Sequence, residues 1–293
     1  MKKFVFLIMA VFSIAACSND DNNAVDTEPV AIEPVVSAEC TFNGDVTLTS
    51  QQEIDAFAAH NYCQINGTVT VKQIDNVSQN VNLKGLEGLV IINGDFIIQD
   101  NPTLINLNGL TNLKRVKGSF RLLNNPMLFY IDGVGNLESV GNVVNISGNE
   151  MLQDMKGLEK LTSLKFVSIH NNAALQSMQG LDNLVSIDGL SIENNMHLAS
   201  LNGLNALTSI GSDSQYGELT ISGNAALQSL NGLQNLTSFK GMTFKLSGNT
   251  ILKNFCSLQG IAATGNITTI FEAFGNYYNP TVSNINSGNC SVE

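Results

Sequence analysis

Tryptophan is absent from this 293-residue chain, and histidine is rare, at three residues. Charged side chains make up only 13 % of it, and arginine is confined to Arg115 and Arg121. The net charge is −11, which becomes −13 without the two positive charges of Lys2 and Lys3. So acidic a chain repels phosphate backbones and has little with which to grip one, so nucleic acid is not an expected partner. His60, His170 and His197 are scattered, with neither a His-Glu-x-x-His pair nor a metal-binding cysteine spacing. No metal and no cofactor is therefore expected. Gly-x-Ser-x-Gly elbows and phosphate loops are missing too, and with them the usual nucleophile and nucleotide signatures. The expectation is a chain that is not an enzyme.

What is plentiful is leucine, glycine and asparagine, in a fixed order. From Asn101, leucines follow at +3 (Leu104), +6 (Leu107), +9 (Leu110) and +12 (Leu113), with Gly109 at +8 and Val116 at +15. An alternating Phe120-x-Leu122 then leads to Asn125, where the pattern restarts. It restarts again at Asn149, Asn172, Asn195 and Asn224, and its first half at Asn249, with spacings of 24, 24, 23, 23, 29 and 25 residues. Such a period with apolar residues at fixed offsets marks a stacked repeat, because one unit cannot bury its own apolar face. The fold expected is mainly β: a solenoid with a short capping helix at its N-terminal end and a cap at its C-terminal end. One strand per repeat is legible, the alternating pair before each asparagine. The asparagines should stack in a ladder, their amides bonding backbone at the turn.

Between the inward residues stand outward ones, which stacking turns into columns. Four positions before the asparagines come Ile97, Arg121, Asn145, Ser168, Ser191, Thr220 and Lys245; two before come Gln99, Leu123, Ser147, His170, Glu193, Ser222 and Ser247. His170 and Glu193 should fall on adjacent rungs as a cross-strand pair. The repeat from Asn195 to Asn224 is longer, through an insertion at Ser212–Gly217. Insertions in repeat proteins emerge as loops on one face, often the binding face. Asp213, Tyr216 and Glu218 are thus candidate ligand contacts, together with Arg121, His170 and Glu193 on the sheet.

Both ends of the chain depart from the repeat. Lys2 and Lys3 precede an apolar run from Phe4 to Ala16, the layout of a secretory signal over residues 1–16. Residues 17–39 are rich in Asp, Asn, Pro and Val without periodicity, the composition of a disordered acidic tether. Folding is expected from Cys40 to Cys290. Ser50-Gln51-Gln52-Glu53 is a capping box, and Ile54, Phe57 and Ala58 form the apolar stripe of a short helix. Cys40 and Cys63 flank that helix, and in an exported protein they should form a disulfide worth about 3 kcal/mol. Beyond Phe255 the pattern decays into an aromatic-rich segment that a Cys256–Cys290 disulfide would staple. The caps are placed at about residues 40–64 and 256–290.

Two resemblances extend this reading. Ile14-Ala15-Ala16-Cys17 resembles the bacterial lipobox, which implies lipidation of Cys17 and attachment to a membrane by acyl chains. The following Ser18-Asn19-Asp20-Asp21-Asn22 resembles the tract that carries lipoproteins of the Bacteroidetes to the cell exterior, which implies an outer-membrane anchor exposed at the cell surface. The order cysteine, helix, cysteine, Ile65-x-Gly67-x-Val69-x-Val71, then coils such as Leu83 to Ile98, is similar to the receptor L domain, a leucine-rich-repeat relative found in growth-factor receptors and bacterial surface lipoproteins. That resemblance implies a right-handed solenoid, a leucine-rich-repeat-like β-helix with flat parallel sheets that serves as a binding module, and carries over no ligand contacts. The function expected is a surface receptor or adhesin for an unknown protein or glycan. The alternatives are a polysaccharide-acting enzyme on a β-helix and a structural spacer of the cell envelope.

Overall fold

The computed structural model describes residues 38–74, 81–211 and 217–293. The chain divides into two units, Met1–Val35 and Val36–Glu293. The first unit, with the signal segment and Cys17, lies outside the described residues. The second is mainly β, and its strands pair in parallel in long sheets.

Ten strands follow one another through the longer sheet in chain order. They are Val46–Leu48, Val69–Lys72, Phe96–Gln99, Phe120–Leu123, Val143–Ser147, Ser163–His170, Ser186–Glu193, Gly217–Ser222, Gly241–Ser247 and Phe271–Phe274. Their register puts Phe96 beside Phe120, then Val144, Val167, Leu190, Leu219 and Phe244. These are the inward residues of the alternating pattern, and all are fully buried. Leucines at the fixed offsets, such as Leu104, Leu107, Leu110 and Leu113, complete one core that runs through every repeat.

Most repeats also have a second strand that the leucine pattern hides. Thr41–Asn43, Gln64–Asn66, Ile91–Ile92, Arg115–Val116 and Ser139–Val140 form a separate five-stranded parallel sheet. All five are two or three residues long, too short to show alternation, so the expectation of one strand per repeat is corrected to two in these repeats. The bend between the two strands needs room. In 24-residue repeats three residues separate the buried Val116 from Phe120, or Val140 from Val144. In the two 23-residue repeats only two intervene, between Leu164 and Val167 and between Ile187 and Leu190. There the bend is lost and the two strands merge into the eight-residue strands Ser163–His170 and Ser186–Glu193.

The asparagine ladder forms as expected. Asn125 donates its backbone N–H and its Nδ2 to Asn149 Oδ1, both at 3.2 Å, and Nδ2 also reaches Ile98 O at 3.0 Å. The same arrangement repeats at Asn101, Asn149, Asn172, Asn195, Asn224 and Asn249, all fully buried. Asn276 extends the ladder beyond Asn249, and Asn279 closes it by accepting from Asn276 Nδ2 at 3.0 Å. The residue before each of these asparagines sits at positive φ: Asp100, Asn124, Asn171 and Asn194 near 55°, Gly148, Gly223 and Gly248 near 67°. Only Asn, Asp and Gly tolerate that conformation readily, which explains that column. At +8 the constraint is also steric. A Cβ on Gly180 would lie 2.0 Å from Met155 O of the preceding repeat.

Both caps carry disulfides, Cys40–Cys63 and Cys256–Cys290, with Cα atoms 5.2 and 4.9 Å apart. The helix Gln51–Phe57 buries Ile54 and Phe57 and has Ser50 as N-cap. Glu53 reaches one residue further back than a capping box does, to Thr49 N at 2.6 Å. The helix does not precede the sheet: Thr41–Asn43 and Val46–Leu48 come before it. Those strands are short and polar at alternate positions, and the sequence pattern passes over them. At the other end the helices Gln259–Ala263 and Val282–Asn286 pack together over the last repeat. Phe255 is buried against Tyr278, with ring centroids 6.1 Å apart, whereas Phe274 and Tyr277 stay exposed.

Candidate binding face

The outward residues of the longer sheet stand in register. Ile97, Arg121, Asn145, Ser168, Ser191, Thr220 and Lys245 form one continuous column. Gln99, Leu123, Ser147, His170, Glu193, Ser222 and Ser247 form the next. A third column, on the other side of the first, runs Val143, Phe166, Gly189, Glu218, Thr243. The small hydroxyl residues of the middle column are recessed: Ser168 is 7 % exposed, Ser191 5 % and Thr220 8 %. Phe166 and Glu218 on one side and His170 and Glu193 on the other flank these recessed hydroxyls, which makes this part of the face a shallow trough.

Of the candidate contacts, His170, Glu193 and Glu218 come together on three successive strands. Arg121 stands apart, two strands before that of His170, and is committed elsewhere. Its Nη1 is 2.8 Å from Asp95 Oδ2, and its Nη2 donates to Ser119 Oγ at 3.2 Å. Asp213 and Tyr216 lie outside the described residues.

His170 and Glu193 are on adjacent rungs, as expected, but their polar atoms have other partners. Glu193 accepts from Ser191 Oγ at 2.6 Å and from Ser222 Oγ at 2.9 Å. The Ser191 bond, then the Ser222 bond and the charges of His170 and Lys245, hold its carboxyl below the usual carboxylate range against the opposing effect of burial. His170 Nε2 contacts Ser168 Oγ on its own strand. Residues two apart on a strand share a face, so these contacts within a strand replace the direct cross-strand pair. Glu218 is held likewise, accepting from Thr220 Oγ1 at 2.9 Å.

The sequence reading missed Phe166. It points outward among polar neighbours, half-buried, because its ring lies across Gly189 on the next strand. A Cβ on Gly189 would meet Phe166 Cε2 at 2.3 Å and Cδ2 at 2.4 Å, so only glycine leaves the ring this resting place. Both residues belong to the merged strands, so the signal was the spacing of 23. Beside them an open recess is lined by Ser163, Lys165, Ser186 and Asp188.

The groups this face presents are hydroxyls, carboxylates, an imidazole and one aromatic ring. Among the described residues, no three His, Cys, Asp or Glu side chains gather as a metal site would require. No helix among them is long and apolar enough to cross a membrane. Comparison with protein-family models, curated proteins and solved structures finds no match for this chain.

Proposed function

We propose that this chain is a non-catalytic, lipid-anchored protein of the bacterial cell surface that binds a protein or glycan through the flat face of a solenoid. Strands that pair in parallel in chain order, with a ladder residue at every turn, support that winding, and connections between parallel strands are right-handed as a rule. The receptor L-domain resemblance fits this order of parts, with both disulfides at the caps. Lipidation of Cys17, after removal of the signal segment, would supply the anchor.

One observation carries the binding reading above the spacer alternative. The outward columns are not the random polar surface a spacer would tolerate: Ser191, Thr220 and Ser222 all spend their hydroxyls fixing the carboxylates of Glu193 and Glu218 in place. Ordered carboxylates on a level surface are preorganised acceptors, which lowers the entropy cost of binding.

The test is a binding screen with the full chain in detergent micelles, against immobilised polysaccharides and cell-surface proteins. Saturable retention on one of them, lost when Glu193 and Glu218 are both changed to Gln, supports the proposal. Saturable retention that this change leaves intact removes these carboxylates from the binding face and overturns the proposal. Release of reducing sugar from a retained polysaccharide would replace it with the enzymatic alternative. The spacer reading takes over if nothing is retained while removal of the chain alters envelope stiffness. Retention of nothing overturns the proposal whatever the envelope does.

A further inference from the structure

We propose that Phe166, resting on Gly189, is the stacking platform of a site for a neutral oligosaccharide. This deepens the binding proposal and rests on it.

The repeat pattern makes Phe166 anomalous. In the flanking repeats the position six before the ladder asparagine holds Ser119, Val143, Gly189, Glu218 or Thr243. A half-buried outward phenylalanine there contributes less to the core than an inward one and leaves apolar area in water. Deleting one bend residue from each of two successive repeats brings the strands level at this point. Gly189 then removes the side chain that would lift the ring. Both changes serve to lay one aromatic ring along the face.

The surroundings of the ring select the ligand. Glu218 follows Gly189 in the same column, and Ser168 and Ser191 floor the trough alongside, with Glu193 beyond. A pyranose has an apolar face of C–H bonds, which carry slight positive charge and suit the negative face of an aromatic ring. Its rim is hydroxyls, the donors that Glu193 and Glu218 already accept from serine and threonine here. An anionic sugar would meet Asp188, Glu193 and Glu218 against Lys165, Lys245 and His170, on a chain of net charge −11, and is disfavoured. At the ring itself a peptide strand finds no free backbone to pair with, because Phe166–His170 and Gly189–Glu193 pair with neighbouring strands on both sides.

The experiment is affinity electrophoresis of the full chain in gels containing laminarin, galactomannan, hydroxyethyl-cellulose, α-mannan or polygalacturonate. Retardation is expected in at least one of the neutral polymers and not in polygalacturonate. Phe166→Ala and Phe166→Leu should each weaken it about tenfold, the loss expected of a stacking contact, and Phe166→Tyr should keep it. Thermal melting of each variant separates loss of the ring from loss of the fold, and the leucine variant keeps Gly189 covered. Retardation that survives Phe166→Leu overturns the platform while leaving the binding proposal standing. Retardation by polygalacturonate alone, or by no polymer, overturns the neutral-glycan assignment, and the protein screen then decides the broader proposal.

Discussion

Asn149 gives Asn172 two hydrogen bonds to one atom: its backbone N–H at 3.0 Å and its Nδ2 at 3.3 Å both end on Asn172 Oδ1. Asn172 in turn uses Nδ2 on Ile146 O at 2.9 Å and on Asn195 Oδ1 at 3.2 Å. Changing Asn172 to Ala therefore leaves the buried Asn149 N–H without its acceptor and takes one donor from the buried Ile146 carbonyl. Each such group costs about 1–3 kcal/mol, so the expected loss is about 3 kcal/mol. Asn183 offers the control. It donates to Glu159 O at 2.8 Å but is exposed, and water replaces it. Asn183→Ala should cost less than about 1 kcal/mol, measured by the same urea titration. Equal losses at the two sites would mean that the ladder is not what holds the repeats together.

Glycine positions divide in the same manner. Gly180 has φ 111° and its Cβ would strike Met155 O. Gly180→Ala should destabilise by more than about 2 kcal/mol, since the strain and the clash add. Gly260 lies in the helix Gln259–Ala263, where the nearest atom to a new Cβ is 3.5 Å away. Gly260→Ala should stabilise by about 0.5–1 kcal/mol through helix propensity. Melting temperatures moving in opposite directions are the expected result.

These two kinds of position also mark how far the sequence could be read. The buried asparagines and the leucine offsets were legible because stacking forces an identical solution at every turn. The short strand of each repeat was not, since two residues such as Arg115–Val116 cannot display a period of two. The partners of His170 and Glu193 were hidden for another reason. Register fixes which strands are adjacent, but side-chain reach decides between Ser168 on the same strand and Glu193 on the next. Phe166 stood in plain view, in a repeat one residue short, and only the merged strands give that shortening a meaning.

Glu193 predicts a pH dependence. Its carboxyl titrates below the usual carboxylate range when folded, first through the Ser191 hydroxyl, then Ser222 and the charges of His170 and Lys245. Folding thus favours the ionised form. The contribution is complete above the unfolded-state pKa of about 4.3 and is lost as pH falls through the lower folded value. The side chain is partly exposed, so the effect is a fraction of a kcal/mol after solvent screening. Glu193→Gln should lower the melting temperature slightly at neutral pH, with the difference from the parent shrinking on acidification. A difference that grows towards acid pH would contradict the assignment.

The two disulfides should not be equivalent in what their loss exposes. Cys40–Cys63 closes a loop across 23 residues around the helix Gln51–Phe57, and Cys256–Cys290 one across 34 around the last rung. By loop entropy alone each is worth about 3–4 kcal/mol. Hydrogen exchange after pairwise Cys→Ser substitution should therefore show local loss of protection at the cap concerned, with the amides around Asn149 and Asn172 unchanged. Loss spreading at once through the central repeats would show that caps and repeats fold as a single cooperative unit.

The contact between Ser168 Oγ and His170 Nε2, with Glu193 on the next rung, invites a comparison with hydrolytic triads. Three features argue against chemistry. Glu193 is occupied by Ser191 and Ser222, so it does not orient the imidazole. Ser168 is nearly buried on the trough floor, which hinders approach to its oxygen. The neighbouring strands pair with Phe166–His170 on both sides, so the backbone N–H groups around Ser168 serve the sheet and are not turned towards an oxyanion. A fluorophosphonate probe should therefore leave Ser168 unlabelled in the native chain, as judged by mass spectrometry. Stoichiometric labelling abolished by His170→Ala would establish an activated serine, and the face would then have to be read as catalytic.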